Sequence, residues 1–69
     1  MKREKLINEY KEKVKQKDFA IEESTKLRQI ARKNKENELV AELSRDIQEL
    51  NAVRQSYIQI LTDLDCLEE

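Results

Sequence analysis

The residues of this 69-residue sequence that could do chemistry are charged, and the usual catalytic side chains are missing. There is no His and no Gly, and the one Cys is Cys66. Without His no Ser or Cys nucleophile has a base beside it, and a Gly-rich phosphate loop is absent. The usual zinc ligands are missing as well. We therefore expect a protein that is not an enzyme and that uses no cofactor, metal or small-molecule substrate.

Four lysines alternate along the first part of the chain, at Lys11, Lys13, Lys15 and Lys17. One interpretation is a set of nucleic-acid contacts, since lysines bind the phosphates of RNA or DNA. The other is a solvated helix surface that balances acidic residues elsewhere. Alternate residues spread around a helix instead of lining one face, and no aromatic residues interleave to stack on bases. Nucleic-acid binding is therefore the alternative prediction.

The end of the chain is acidic, with Asp63, Asp65, Glu68 and Glu69 close together. Such a cluster could bind a divalent cation or imitate phosphates, but it lacks the ligand spacing and the Gly of a calcium loop. We interpret it as a solvated helix end. Cys66 has no basic residue after it to stabilise a thiolate, so we expect an unreactive thiol.

The composition indicates an all-α protein. Gly and Pro are both absent, charged residues make up 42% of the chain, and the net charge is −1. Hairpins of β-strands need Gly at their turns, whereas Glu, Lys, Leu and Arg favour helices. We expect one domain over residues 1–69. A single Cys fits a reducing compartment, and no membrane span or secretory signal is visible, which predicts a cytoplasmic protein.

The most regular stretch lies between Leu39 and Leu67, where apolar residues recur at steps of three and four. This spacing predicts a coiled-coil seam with one polar interruption, at Arg54. Arg54 either pairs with an acid of a neighbouring helix and fixes the register, or packs its alkyl stem and extends its head to water. The predicted interface comprises Leu39, Val40, Leu43, Ile47, Leu50, Val53, Arg54, Tyr57, Ile60, Leu61, Leu64 and Leu67.

A turn is predicted at about residues 33–37, where no apolar residue occurs and two Asn residues favour a turn. It separates a helix at about 3–33 from a helix at about 38–66, with Asn37 as the N-cap of the second. Residues 1–17 have a net charge of +4 and residues 55–69 of −4. An antiparallel helical hairpin, coiled-coil-like, places these ends together, whereas one long helix would need an antiparallel second copy.

The first helix has a less regular pattern. Leu6, Ile7, Tyr10, Val14 and Ile21 form one stripe, and Ala20, Ser24, Leu27 and Ala31 form another, with Phe19 and Ile30 to one side. The stripes differ in direction by about a third of a turn. Either the helix breaks near Asp18, which would give three helices, or its halves face different neighbours.

The apolar face of the second helix is wider than one partner helix covers, because Leu39, Val53, Ile60 and Leu67 flank the main seam. We therefore expect a homodimer, in which two hairpins form a four-helix bundle. Such a layout resembles small plasmid-encoded hairpin regulators that dimerise into bundles. It is also similar to the small aspartyl-phosphate phosphatases of sporulating bacteria, whose Ser-Gln-Glu-Leu-Asp motif corresponds to residues 44–48. Gln48 stands where that motif has its functional Asp, so the resemblance does not carry the activity.

The main prediction is a small protein-interaction module that regulates or inhibits a larger protein, of the kind carried by phages and mobile elements. Two alternatives are a dimeric RNA- or DNA-binding regulator that uses the basic first helix, and a structural coiled-coil assembly factor. The identity of the protein partner does not follow from the sequence.

Overall fold

A computed structural model, which describes residues 2–66, shows two α-helices packed against each other. Helix α1 runs over Lys2–Lys33 and helix α2 over Asn37–Cys66. No residue in this range belongs to a β-strand. The all-α hairpin is confirmed. One long helix and a three-helix protein are both wrong, because the chain turns at residues 34–36 and α1 continues without a break through Asp18.

The turn is a Schellman motif. Glu36 N–H donates to the carbonyl oxygen of Ala31 over 2.9 Å, and Lys35 N–H donates to that of Arg32 over 3.1 Å. These bonds satisfy carbonyl groups that the end of α1 would otherwise leave unpaired. The motif requires a left-handed residue, and Lys35 has φ 59°. Because Lys carries a Cβ, this conformation costs about 1–2 kcal/mol, which Gly would avoid.

Helix α2 begins one residue earlier than the sequence suggested. Val40 N–H donates to the carbonyl oxygen of Glu36 over 3.0 Å, which is the first hydrogen bond of the helix. Glu36 therefore holds the N-cap position, and the prediction of Asn37 as the cap is wrong by one residue. The acidic side chains of Glu36 and Glu38 both lie near the positive end of the helix dipole, where they are favourable.

One line of half-buried or buried side chains on each helix forms the seam between them. In α1 the line contains Ile7, Tyr10, Val14, Lys17, Ile21, Ser24, Arg28 and Ala31; in α2 it contains Val40, Leu43, Ile47, Leu50, Arg54, Tyr57, Leu61 and Leu64. Both lines alternate steps of three and four, the spacing of a coiled coil. Among the described residues only Ala31 and Leu43 are buried, at 2% and 8% exposure. The hairpin alone therefore does not enclose a core.

The two stripes expected in α1 are replaced by a single line. Both halves of the helix pack along the same seam, so the expectation of different neighbours for the two halves is wrong. In the middle of the helix this line contains Lys17, and farther along it contains Arg28. Because both residues are charged, a pattern of apolar residues does not include them. Leu6 and Leu27, which belonged to the expected stripes, are exposed instead, at 40% and 53%.

Cross-helix contacts fix the register of the hairpin. Arg54 pairs with Asp18, and Arg28 Nη1 donates to Ser44 Oγ over 3.3 Å. Farther from the turn, the rings of Tyr10 and Tyr57 lie 5.6 Å apart at an angle of 56°, a favourable tilted arrangement. The first two pairs place residue 18 level with residue 54 and residue 28 level with residue 44 along the long axis.

Candidate interaction surfaces

The hairpin has two sides that flank the seam, and one of them is apolar. The residue directly before every second seam residue lies on one side of the hairpin. In an antiparallel coiled coil this side is the same for both helices. This apolar side consists of Leu6, Ala20, Leu27, Leu39, Val53 and Ile60. A groove lined by Ser24 of α1 and by Leu50 and Val53 of α2 runs between the helices on this side.

Large side chains on the apolar side remain in contact with solvent. Leu27 is 53% exposed, Leu39 is 39% exposed and Val53 is 38% exposed. Ile30, one turn from Leu27 on α1, is 55% exposed. Exposed apolar residues that stand alone are ordinary, but a row of them that recurs at heptad spacing along two helices is typical of an interaction surface.

The opposite, polar side is closed by cross-helix polar contacts. Arg54 Nε donates to Asp18 Oδ1, and the Arg54 side chain is 30% exposed. Both interpretations of Arg54 therefore hold in part, since its stem is half-buried and its head pairs with an acid of the other helix. The sequence pattern does not identify Asp18 as a partner of Arg54, and indicates only a possible break of the first helix near it. The signal that places Asp18 next to the seam is that it directly follows Lys17, which is a seam residue.

A third surface is the outward face of α1, where Phe19 stands near the middle of the helix. Its side chain is 64% exposed, the largest exposure among the large apolar residues described. Glu12, Lys15 and Gln16 line an open groove next to it. Phe19 points away from both the seam and the apolar side, so neither the hairpin nor a partner on the apolar side covers it.

The predicted interface residues fall in different places. Leu43 is buried, and the half-buried set comprises Val40, Ile47, Leu50, Arg54, Tyr57, Ile60, Leu61 and Leu64. Of these, Ile60 belongs to the apolar side and the others lie in the seam. Leu39 and Val53 are exposed on the apolar side. Leu67 lies outside the described residues.

The four lysines proposed as nucleic-acid contacts do not share a face. Lys11, Lys13 and Lys15 are exposed and Lys17 is half-buried. Lys13 interrupts the apolar side, Lys17 lies in the seam, and Lys11 and Lys15 lie elsewhere around the helix. The structure therefore does not bring these lysines together into one phosphate-binding surface.

The acidic end of α2 is partly outside the described residues, since Glu68 and Glu69 lie beyond them. Gln59 Nε2 donates to Asp63 Oδ1 over 3.1 Å, and Cys66 is exposed. Within residues 2–66 no three His, Cys, Asp or Glu side chains are grouped to hold a metal ion. Neither described helix is long and apolar enough to cross a membrane.

Comparison with known proteins adds no relative. The chain matches no family model, no curated protein and no solved structure. The three surfaces of the hairpin are therefore the basis for a proposed function: the apolar side, the polar side and the outward face around Phe19.

Proposed function

We propose that this chain is a small non-enzymatic protein-interaction module that acts as a homodimer and regulates or inhibits a larger protein. The observation that carries the proposal is the apolar side, a stripe of exposed Leu and Val side chains along both helices. A second copy of the chain covers this stripe. Two hairpins then share one core as a four-helix bundle.

The surface area of the hairpin supports a second copy. The chain exposes 5642 Å², whereas a folded monomer of its mass exposes about 4,600 Å² on average, roughly 1,000 Å² less. A standard protein interface buries about 800 Å² on each partner. The radius of gyration, 15.8 Å, also exceeds the roughly 11 Å of a compact chain of this length. One dimer interface would remove most of the excess surface.

The second helix is suited to touch two neighbours at once. Leu43, Leu50 and Leu64 lie in the seam toward the apolar side, and Leu39, Val53 and Ile60 lie next to them on that side. Together they form a second line at heptad spacing, which Asp46 interrupts once. In the proposed bundle α2 packs against its own α1 along the seam and against the α2 helix of the second copy along this line.

The outward face around Phe19 is the surface that we assign to the larger protein. Aromatic side chains bury a large apolar area and often anchor protein interfaces. Phe19 remains exposed after the apolar side is covered, because it lies on a different face of α1. The partner that fits this face has an apolar pocket for the ring, rimmed by charges complementary to Glu12 and Lys15.

A photo-crosslinking experiment in the source cell tests this assignment. A benzoylphenylalanine in place of Phe19 is expected to crosslink to one larger protein and not to the second copy. The matched control carries the same photoreactive residue at Gln55, which is exposed on the outward face of α2. Capture of the same protein from both sites, or of none from Phe19, would count against the proposal.

The alternative function, nucleic-acid binding, predicts a different outcome. RNA or DNA bound by the lysines of α1 would be held by phosphate contacts, and its affinity would fall steeply as salt rises. Binding of mixed RNA and DNA across a range of salt concentrations therefore separates the two functions. Salt-sensitive binding that is lost in a Lys11→Gln, Lys15→Gln variant would favour the nucleic-acid function over ours.

A further inference from the structure

The arrangement of the two copies follows from two charges that interrupt the apolar side. This inference rests on the homodimer of the proposed function. Lys13 takes the place in α1 that Leu6, Ala20 and Leu27 occupy one or two heptads away, and Asp46 takes the equivalent place in α2. Both side chains are exposed in the hairpin. Covering the apolar side with a second copy must therefore provide a partner for each charge, since unpaired buried charges are costly.

The two charges have opposite signs and lie on opposite sides of the middle of the hairpin. The Arg54–Asp18 and Arg28–Ser44 pairs set the register, and this register places Asp46 between the middle and the turn. Lys13 lies between the middle and the open end. Ala20 and Val53 stand about halfway between them. A rotation that exchanges the two ends therefore brings Lys13 of one copy to the level of Asp46 in the other.

The groove beside Asp46 has the chemistry that a lysine side chain requires. Leu50 and Val53 provide an apolar floor, Asp46 and Glu49 provide two carboxylates, and Ser24 closes the other side. The groove is open to solvent and has a volume of about 390 Å³. A lysine packs its alkyl stem on an apolar surface and directs its ammonium group to an acid. The groove thus suits Lys13 of a second copy.

We propose that two copies pack with their apolar sides together, antiparallel, about a two-fold axis that passes near Ala20 and Val53. The same rotation matches the rest of the apolar side. Leu6 comes level with Leu39 of the partner subunit, and Leu27 comes level with Ile60 of the partner subunit. Near the axis Ala20 and Val53 lie at the level of Ala20 and Val53 of the partner subunit, where the small side chain of Ala allows close approach. Lys17, in the seam, comes close to the level of Glu49 of the partner subunit.

A parallel dimer would place the same residues differently. Each residue would then stand level with its own copy, so that the two Lys13 side chains would meet, and so would the two Asp46 side chains. Like charges in a partly desolvated interface repel each other, which weakens binding. The charge pattern of the apolar side therefore favours the antiparallel arrangement.

Distance measurement between spin labels tests the arrangement. A label is attached at position 33 in a Lys33→Cys, Cys66→Ser variant, since Lys33 is exposed at the end of α1. The antiparallel dimer places the two labels about 40 Å apart or more, from the 1.5 Å rise per residue. A parallel dimer places them about 20 Å apart, because packed helices lie 8–10 Å from each other. The short distance would overturn the inference.

Charge exchange provides the second test, with light scattering to report the mass. Lys13→Glu and Asp46→Lys should each weaken the dimer about tenfold or more, and the double variant should restore it. Lys15→Glu, on an outward face of α1, is the matched control and should leave the dimer intact. Additive weakening in the double variant would overturn the inference. A wild-type chain that is a monomer would instead contradict the homodimer of the proposed function.

Discussion

The apolar side and the polar side of the hairpin flank the same seam, but they differ in how their side chains are covered. On the polar side cross-helix polar contacts form within one chain, since Arg54 pairs with Asp18 and Arg28 donates to Ser44. On the apolar side Leu27, Leu39 and Val53 remain exposed. One side is therefore bridged by polar contacts within a single chain, whereas the other leaves an apolar surface that the proposed second copy would cover.

In the proposed dimer, affinity and orientation come from different residues. The apolar side would supply the affinity, and the charges of Lys13 and Asp46 within it would supply the orientation. The polar contacts on the other side fix the register of each hairpin. Affinity and orientation are therefore separable by mutation.

The largest expected effect is the difference in dimer affinity between a variant with two Glu substitutions on the apolar side and a variant with two on the polar side. Leu27→Glu with Val53→Glu puts four acids into the proposed dimer interface and should weaken the dimer at least about 100-fold, or roughly 2.7 kcal/mol. Thr25→Glu with Asn51→Glu makes matched changes two residues earlier, on the polar side, and should leave the dimer mass unchanged. Light scattering measures both, with circular dichroism to verify that each variant stays helical. Equal weakening by the two pairs would remove the distinction between the sides.

A smaller effect is expected at the turn, which belongs to neither side. Lys35→Gly should stabilise the protein by about 0.5–1 kcal/mol, because Gly adopts the left-handed conformation of Lys35 without steric cost but loses more entropy on folding. Urea denaturation followed by circular dichroism measures the gain, and the dimer mass should not change. Destabilisation by this substitution would mean that the lysine side chain itself supports the turn.

The smallest effect is expected from the ion pair on the polar side. Asp18 is 52% exposed and Arg54 is 30% exposed, so solvent screens their attraction. A double-mutant cycle with Asp18→Ala and Arg54→Ala should therefore give a coupling of only about 0.2–1 kcal/mol. Urea denaturation of the four proteins measures it. A coupling near zero would indicate that the register is set by the apolar seam alone.

Much of the hairpin could be predicted from the sequence, for identifiable reasons. Helix α2 carries a regular apolar repeat, and Leu43, Leu50 and Leu64 appear at the expected spacing. The turn was visible because residues 33–37 lack apolar side chains. The absence of Gly and Pro excluded most β-structures in advance. These signals depend on residues that are close together in the sequence. They can therefore be recognised without knowing which helix packs against which.

The seam of α1 could not be predicted in the same way. This seam contains Lys17, Ser24 and Arg28, which are not apolar. A pattern of apolar residues therefore omits these three and includes Leu6 and Leu27, which lie outside the seam. Those two residues are part of the apolar side, a surface that exists only once α2 is in place. The pairing of Asp18 with Arg54 likewise depends on the register between helices, which the repeat within one helix does not specify.

Sedimentation equilibrium of the wild-type chain is the direct test of the proposal that a second copy covers the apolar side. A homodimer would have a mass of twice the 8.3 kDa of one chain, with dissociation only on dilution. Helicity should fall as the dimer dissociates, because the hairpin alone buries few of the described side chains. A mass of 8.3 kDa at all concentrations, with the chain fully helical, would show that no second copy covers the apolar side.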